Sequence, residues 1–164
     1  MLEQADEAYI VNTASTSGLI MNGYAIPYGV SKHAVVALSE SLHLELESRK
    51  ANVGVSVLCP GPVDTEIVDA SYRNLPPTIP LPDLSNEESV LEEAYRHYLE
   101  QGLSPETVAA QTLSAIKEKR FYIFTHDYRV AIETRMNNLL EEKNPGPSPP
   151  NPKLMAILDS LVSS

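Results

Sequence analysis

Residues 28–35 read YGVSKHAV, and they stand between two apolar runs, AYIVNTA at 8–14 and VGVSVLC at 53–59. Both runs are short, rich in β-branched residues, and closed by small polar or Pro/Gly residues, which predicts two buried strands. Pro27 suits the first turn of a helix. From there to about Arg49, the apolar positions Val30, Ala34, Val35, Leu38, Leu42 and Leu46 recur at three and four. That is the helical period. Strand, long helix, strand is a crossover unit and implies parallel strands. The fold class expected is therefore α/β. In open parallel sheets ligands collect beyond the carboxyl ends of the strands. Residues 15–18 and 60–66 occupy those ends, and chemistry is to be sought there.

Further along, residues 65–72 suit a short helix, and residues 73–86 hold Pro76, Pro77, Pro80 and Pro82, a mobile loop or lid. Two helical segments follow near 87–101 and 104–119, the second opened by Ser104 with Pro105 at the first helical position. FYIFT at 121–125 reads as a third strand, and 126–142 as a helix. The stretch NPGPSPPNP at 144–152 holds no regular structure and tethers a weak amphipathic tail at 153–162. Residues 1–145 are expected to form one partial domain, and 146–164 a Pro-rich linker with a weakly helical tail.

With 164 residues the chain can bury one core, and its 43% apolar content is ordinary for a globular protein. No apolar run approaches the ~20 residues of a membrane span. The start, MLEQADE, is acidic where a signal peptide is basic and then apolar. No membrane association and a cytoplasmic location are the expectations. The formal net charge is −10, and Lys and Arg form no cluster, so nucleic acid is not an expected partner. Cys59 is the single cysteine, which fits a reduced compartment and a buried packing role. His33, His43, His97 and His126 show no metal-ligand spacing, and no metal site is expected.

Tyr28 and Lys32 are spaced i, i+4 and so share one helix face within side-chain reach. A neutral phenol is a poor acid or base near neutral pH. A nearby ammonium favours the phenolate, and the positive helix amino terminus acts in the same direction. Ser15 stands 13 residues before Tyr28, at the end of the first strand. Its hydroxyl can donate to a carbonyl oxygen or accept from an alcohol. Tyr-x-x-x-Lys alone is weak, since such pairs arise by chance as a core-edge Tyr and a solvated Lys. Joined with Ser15, the strand–helix–strand frame and the Pro-Gly-Pro-Val-Asp-Thr stop, it is far more specific.

In order and spacing, NTASTSGL (12–19), YGVSKHAV (28–35) and CPGPVDTEI (59–67) resemble the second half of short-chain dehydrogenases/reductases. A weaker likeness continues to about Pro145, so the resemblance covers nearly all of the chain but about half of a family member. It implies the carboxyl-terminal half of a Rossmann-like, doubly wound parallel sheet with about three strands and flanking helices. It also implies an oxidoreductase that interconverts an alcohol and a ketone with NAD or NADP. Tyr28 would be the general acid/base, and Ser15 would hold the substrate oxygen. Lys32 would ease proton loss from Tyr28 and hydrogen-bond the nicotinamide ribose. Pro60, Gly61, Val63 and Thr65 would line the nicotinamide. A small-molecule alcohol or ketone is the expected partner, and a homo-oligomer the expected assembly, since family members often pair through the long active-site helix.

The departures also bear on function. The sequence has no Gly-x-x-x-Gly-x-Gly turn for the pyrophosphate. It also lacks the residue that chooses NAD or NADP, the Asn-Asn-Ala-Gly strand, and the helix supplying the family's catalytic Asn. Asn12 and Asn22 are not assigned that role. Residues 1–7 resemble the tail of the preceding helix. Thr16 and Ser17 could face substrate or cap the loop; Pro62 could touch substrate or shape the turn, and Tyr24 and Tyr72 could line a pocket or be ordinary surface tyrosines. The alternative reading is a non-catalytic domain that reuses the fold for interaction or regulation.

Overall fold

The structure, a computed structural model, describes residues 1–2, 6–21, 25–146 and 151–162. Strand β1 (Ala8–Thr13) leads through a single 3-10 turn (Thr16–Gly18) to helix α1 (Ile26–Ser48) and strand β2 (Val53–Cys59). Helices α2 (Ile67–Arg73), α3 (Asn86–Glu100) and α4 (Pro105–Lys117) precede strand β3 (Tyr122–Phe124). Helices α5 (Arg129–Leu140) and α6 (Pro152–Val162) complete the order. Tyr24 and Asn22 lie outside the described residues.

The strands form one parallel sheet in the order β1-β2-β3, as the crossover pattern implies. Ala8 pairs with Val53 and Thr13 with Leu58, so β1 and β2 run side by side to the same end. Within this register Tyr9 faces Gly54, where a Cβ would stand 2.3 Å from the tyrosine ring. Glycine is what lets the ring lie across β2. The Tyr9 hydroxyl then meets Ser56 Oγ at 2.9 Å, and Ser56 donates on to the Arg120 carbonyl at 2.7 Å. A buried hydroxyl in a parallel strand is thereby satisfied, as burial demands.

By its contacts the chain divides into two compact units. The first, residues 1–61 and 106–149, holds the sheet with α1, α5 and nearly all of α4. Its core is built on Ala14, Val36, Val57 and Cys59, with Leu19, Val35 and Phe121 against them. The helix face turned to this core differs from the expected stripe. Val36, Ser39 and Leu46 are buried, whereas Val30 and Leu38 are 58% and 61% exposed. Apolar residues occupy more than one face of α1, so spacing alone did not single out the inner one. Buried Ser39 is satisfied by donating to Val35 O at 2.7 Å and accepting from Asn12 Nδ2 at 3.0 Å, which ties β1 to α1.

Both helices that lead into a strand within this unit stop by the same device. Beyond α1, Lys50 adopts φ 51°, Ala51 N–H reaches the Leu46 carbonyl and Lys50 N–H reaches Glu47. Beyond α4, Lys119 adopts φ 53°, with Arg120 N–H on Ala115 and Lys119 N–H on Ile116. These are Schellman closures, usually made by glycine.

The second unit, residues 62–105 and 150–164, is helical. Ser85 and Glu88 form a reciprocal capping box that starts α3. Tyr72 donates to Glu92, and Arg96 bridges Asp69 and Glu92, so α2 is clamped to α3. Tyr72 is thus occupied in the clamp, and its hydrogen bond to Glu92 raises its pKa. The expected tail is helix α6, which packs on α3, and Asn151 Nδ2 donates to the Tyr98 hydroxyl at 2.7 Å. Of the expected lid, 73–86, Arg73 ends α2 and Asn86 begins α3, while residues 74–85 carry no regular element and expose Ile79 and Leu81.

Candidate active site

Beyond the end of β1 the backbone turns at once. Ser15 is the N-cap of the 3-10 turn, and its Oγ accepts the Ser17 N–H at 3.1 Å. One lone pair and the hydroxyl proton of a serine remain after such a cap. Thr16 N–H donates to the Pro60 carbonyl at 3.0 Å, which joins the end of β1 to the end of β2. Thr16 and Ser17 lie inside this turn, and Ser15 caps it. Ser15 is 7% exposed, and Cys59 beside it is fully buried, which pushes its thiol up to about 11. Cys59 is a packing residue here.

Gly18 seats the serine turn against α1. A Cβ there would lie 2.7 Å from the Lys32 carbonyl oxygen and 3.0 Å from a Val36 methyl. The next larger residue cannot approach the helix backbone so closely. Lys32 Nζ donates to the Thr13 carbonyl at 3.2 Å and lies 5.5 Å from the centre of the Tyr28 ring. The expected i, i+4 partnership is thus realised on α1, and the lysine also crosses to the strand two residues before Ser15. Tyr28 is 37% exposed, so its ring is open to a ligand. Pro27 occupies the first turn of α1, and no side chain caps that end.

Among the remaining candidates, Pro60 and Gly61 form the turn after β2 in the first unit. Gly61 N–H donates to Thr125 Oγ1 at 3.1 Å. Val63 and Thr65 belong to the second unit, where Val63 bridges Leu103 and Thr65 Oγ1 turns back on the Val63 carbonyl at 3.4 Å. Pro62 accepts the Leu103 N–H at 3.1 Å. Sequence reading missed Gly18, Thr125 and Arg135, whose Nη1 donates to the Leu19 carbonyl at 3.0 Å. Gly18 had a local signal in the small-residue run after Ser15. The other two act across the sequence and left none.

The residues present suit one end of a dinucleotide. An ammonium with three donors, of which one is engaged by Thr13, matches ribose hydroxyls, and Tyr28 stands beside it. For the pyrophosphate end the sequence offers no glycine-rich turn. No group of three His, Cys, Asp or Glu among the described residues could hold a metal. Nor is any described helix long and apolar enough to cross a membrane.

A Rossmann-like parallel sheet, with a serine turn and a Tyr-x-x-x-Lys helix at the carboxyl ends of its strands, defines the class. The short chain dehydrogenase family model matches residues 1–75. The chain is similar to a short-chain dehydrogenase/reductase from Burkholderia phymatum solved in complex with NAD. The two are 35% identical with a TM-score of 0.83, over 92% of this chain and 54% of that one. It is also similar to the 1-deoxy-11-beta-hydroxypentalenate dehydrogenase of Streptomyces exfoliatus. That relative is 31% identical over 164 residues, which span 96% of this chain and 52% of the relative. The CLA biosynthesis dehydrogenase/reductase of Lactiplantibacillus plantarum is 28% identical over 149 residues, 88% of this chain and 52% of the relative. The chain belongs to the short-chain dehydrogenase/reductase family, and it spans about half the length of the curated relatives it matches.

Proposed function

We propose that this chain is the active-site half of an NAD(P)-dependent oxidoreductase that interconverts a small-molecule alcohol and a ketone. The observation that carries this reading is the Lys32 ammonium, 5.5 Å from the Tyr28 ring and bonded to the Thr13 carbonyl just before Ser15. Lys32 thereby stands beside Tyr28 and is tied to the strand that leads to Ser15, which supports the reading.

The bound nicotinamide supplies or accepts hydride; orientation and proton handling fall to the protein. Ser15 holds the substrate oxygen with the donor its cap leaves over. Tyr28 passes a proton to that oxygen in reduction and removes one in oxidation. The Lys32 ammonium stabilises the phenolate that results and donates to the ribose hydroxyls. The Pro60–Gly61 turn would line the nicotinamide. The roles of Val63 and Thr65 rest on the family resemblance. The outward apolar row Val30, Leu38 and Leu44 of α1 favours a homo-oligomer.

Oxidation of NADH or NADPH in the presence of a panel of ketones tests the reaction. Tyr28→Phe should lower the rate at least about 100-fold, while far-ultraviolet circular dichroism stays unchanged. Equal rates for the two chains exclude Tyr28 as the acid. The second reading is a non-catalytic interaction or regulatory domain that reuses the fold. It is the better one if neither nucleotide is consumed or bound.

A further inference from the structure

The turn after β2 hangs on a single peptide plane. Its carbonyl, from Pro60, accepts the Thr16 N–H of the serine turn at 3.0 Å. Its amide, from Gly61, donates to Thr125 Oγ1 at 3.1 Å. Because a peptide unit is rigid and planar, whatever holds the amide end also aims the carbonyl end. Thr125 Oγ1 is itself joined to His126 Nδ1 at 2.8 Å. A Cβ on Gly61 would stand 2.7 Å from that nitrogen and 3.0 Å from the Tyr128 hydroxyl, so glycine admits the imidazole against the turn. All of these residues lie in the first unit. The same segment reaches the serine turn a second time, through the 3.0 Å bond from Arg135 to Leu19.

We propose that Thr125 is a positioning residue for the site. Its hydroxyl, braced by His126, fixes the Pro60–Gly61 peptide, and that peptide fixes Thr16 and so the direction of Ser15. The inference rests on the reading of Ser15 and Gly61 as parts of a dehydrogenase site. The physical coupling from Thr125 to Thr16 does not require that reading. If the acceptor at 125 is removed, the Gly61 amide loses its partner. The peptide can then rotate, and the Thr16 bond on its far side weakens with it.

Two measurements on the same variants separate these claims. Amide exchange followed by nuclear magnetic resonance should quicken about tenfold at Gly61 and at Thr16 in Thr125→Val. Thr125→Ala should do the same, and Thr125→Ser should restore both rates. An unchanged Thr16 rate in Thr125→Val and Thr125→Ala overturns the coupling, as does failure of Thr125→Ser to restore it. In the second measurement NADH and NADPH are titrated into each chain. Where wild type binds, Thr125→Val should weaken binding severalfold and Thr125→Ser should not, and equal affinities overturn the positioning role. Where wild type binds neither nucleotide, the dehydrogenase reading fails, and the exchange rates alone decide the inference.

Discussion

Strands β1 and β2 carry the two turns of the site and are built from similar residues, yet they are held differently. β2 is paired along both edges, and its residues from Val55 to Cys59 are buried. β1 is paired along one edge among the described residues, and no residue of it is fully buried. The Pro60–Gly61 turn therefore grows from the central strand of the sheet, and Ser15 from an edge strand. Cross-ties make up part of the difference: Asn12 to Ser39, Lys32 to Thr13, Gly18 against Lys32, and Thr16 to Pro60. An open, apolar strand edge also invites pairing with another chain.

The largest effect expected from this contrast is in the strands themselves. Val57 has no exposed surface, and Val57→Ala should cost about 2–3 kcal/mol. Val11→Ala in half-buried β1 should cost under about 1 kcal/mol. Urea denaturation of both variants measures the gap, and equal losses would mean that β1 is as well held as β2. Gly18→Ala comes next. It drives a methyl group into the Lys32 carbonyl, and should cost about 1–3 kcal/mol while weakening nucleotide binding. A crystal structure of that variant with the serine turn unmoved would remove the glycine from the set of ties.

A pH prediction probes the well-held strand. Burial raises the Cys59 thiol to about 11, above its ordinary value of 9.0. The protonated thiol is therefore favoured by folding. Its contribution is complete below about 9 and is lost as pH rises through about 11. Thiol labelling at mildly alkaline pH should stay slow until denaturant unfolds the chain, and rapid labelling of the native chain would show that the end of β2 opens readily. The smallest effect concerns the helix closure that feeds β2. Lys50→Gly, at φ 51°, should stabilise by about 0.5 kcal/mol, read as a small rise in melting temperature.

Much of this arrangement was legible because its signals are local. β2 was expected at Val53–Cys59 and is found there, since a β-branched run followed by Pro60-Gly61-Pro62 can continue no other way. β1 ends one residue earlier than expected, where Ala14 is handed from the strand to the turn. β3 is shorter than its apolar run, and α5 begins at Arg129 instead of 126. Asp127 explains the late start: its carboxylate accepts the Arg129 N–H at 3.1 Å and the guanidinium beside it, which holds the backbone out of the helix. The i, i+4 pairing of Tyr28 and Lys32 was legible for the same local reason. What Thr125 and Arg135 touch lies 64 and 116 positions away in the sequence. No window of sequence holds such contacts.

The most direct measurement is a fluorescence titration of NADH and NADPH into the chain and into Lys32→Met, with folding checked by circular dichroism. If the lysine that touches Tyr28 and Thr13 also holds the nicotinamide ribose, the wild-type chain saturates with at least one nucleotide and Lys32→Met binds it at least about tenfold more weakly. A flat wild-type response, or equal affinity in both chains, contradicts the site described above.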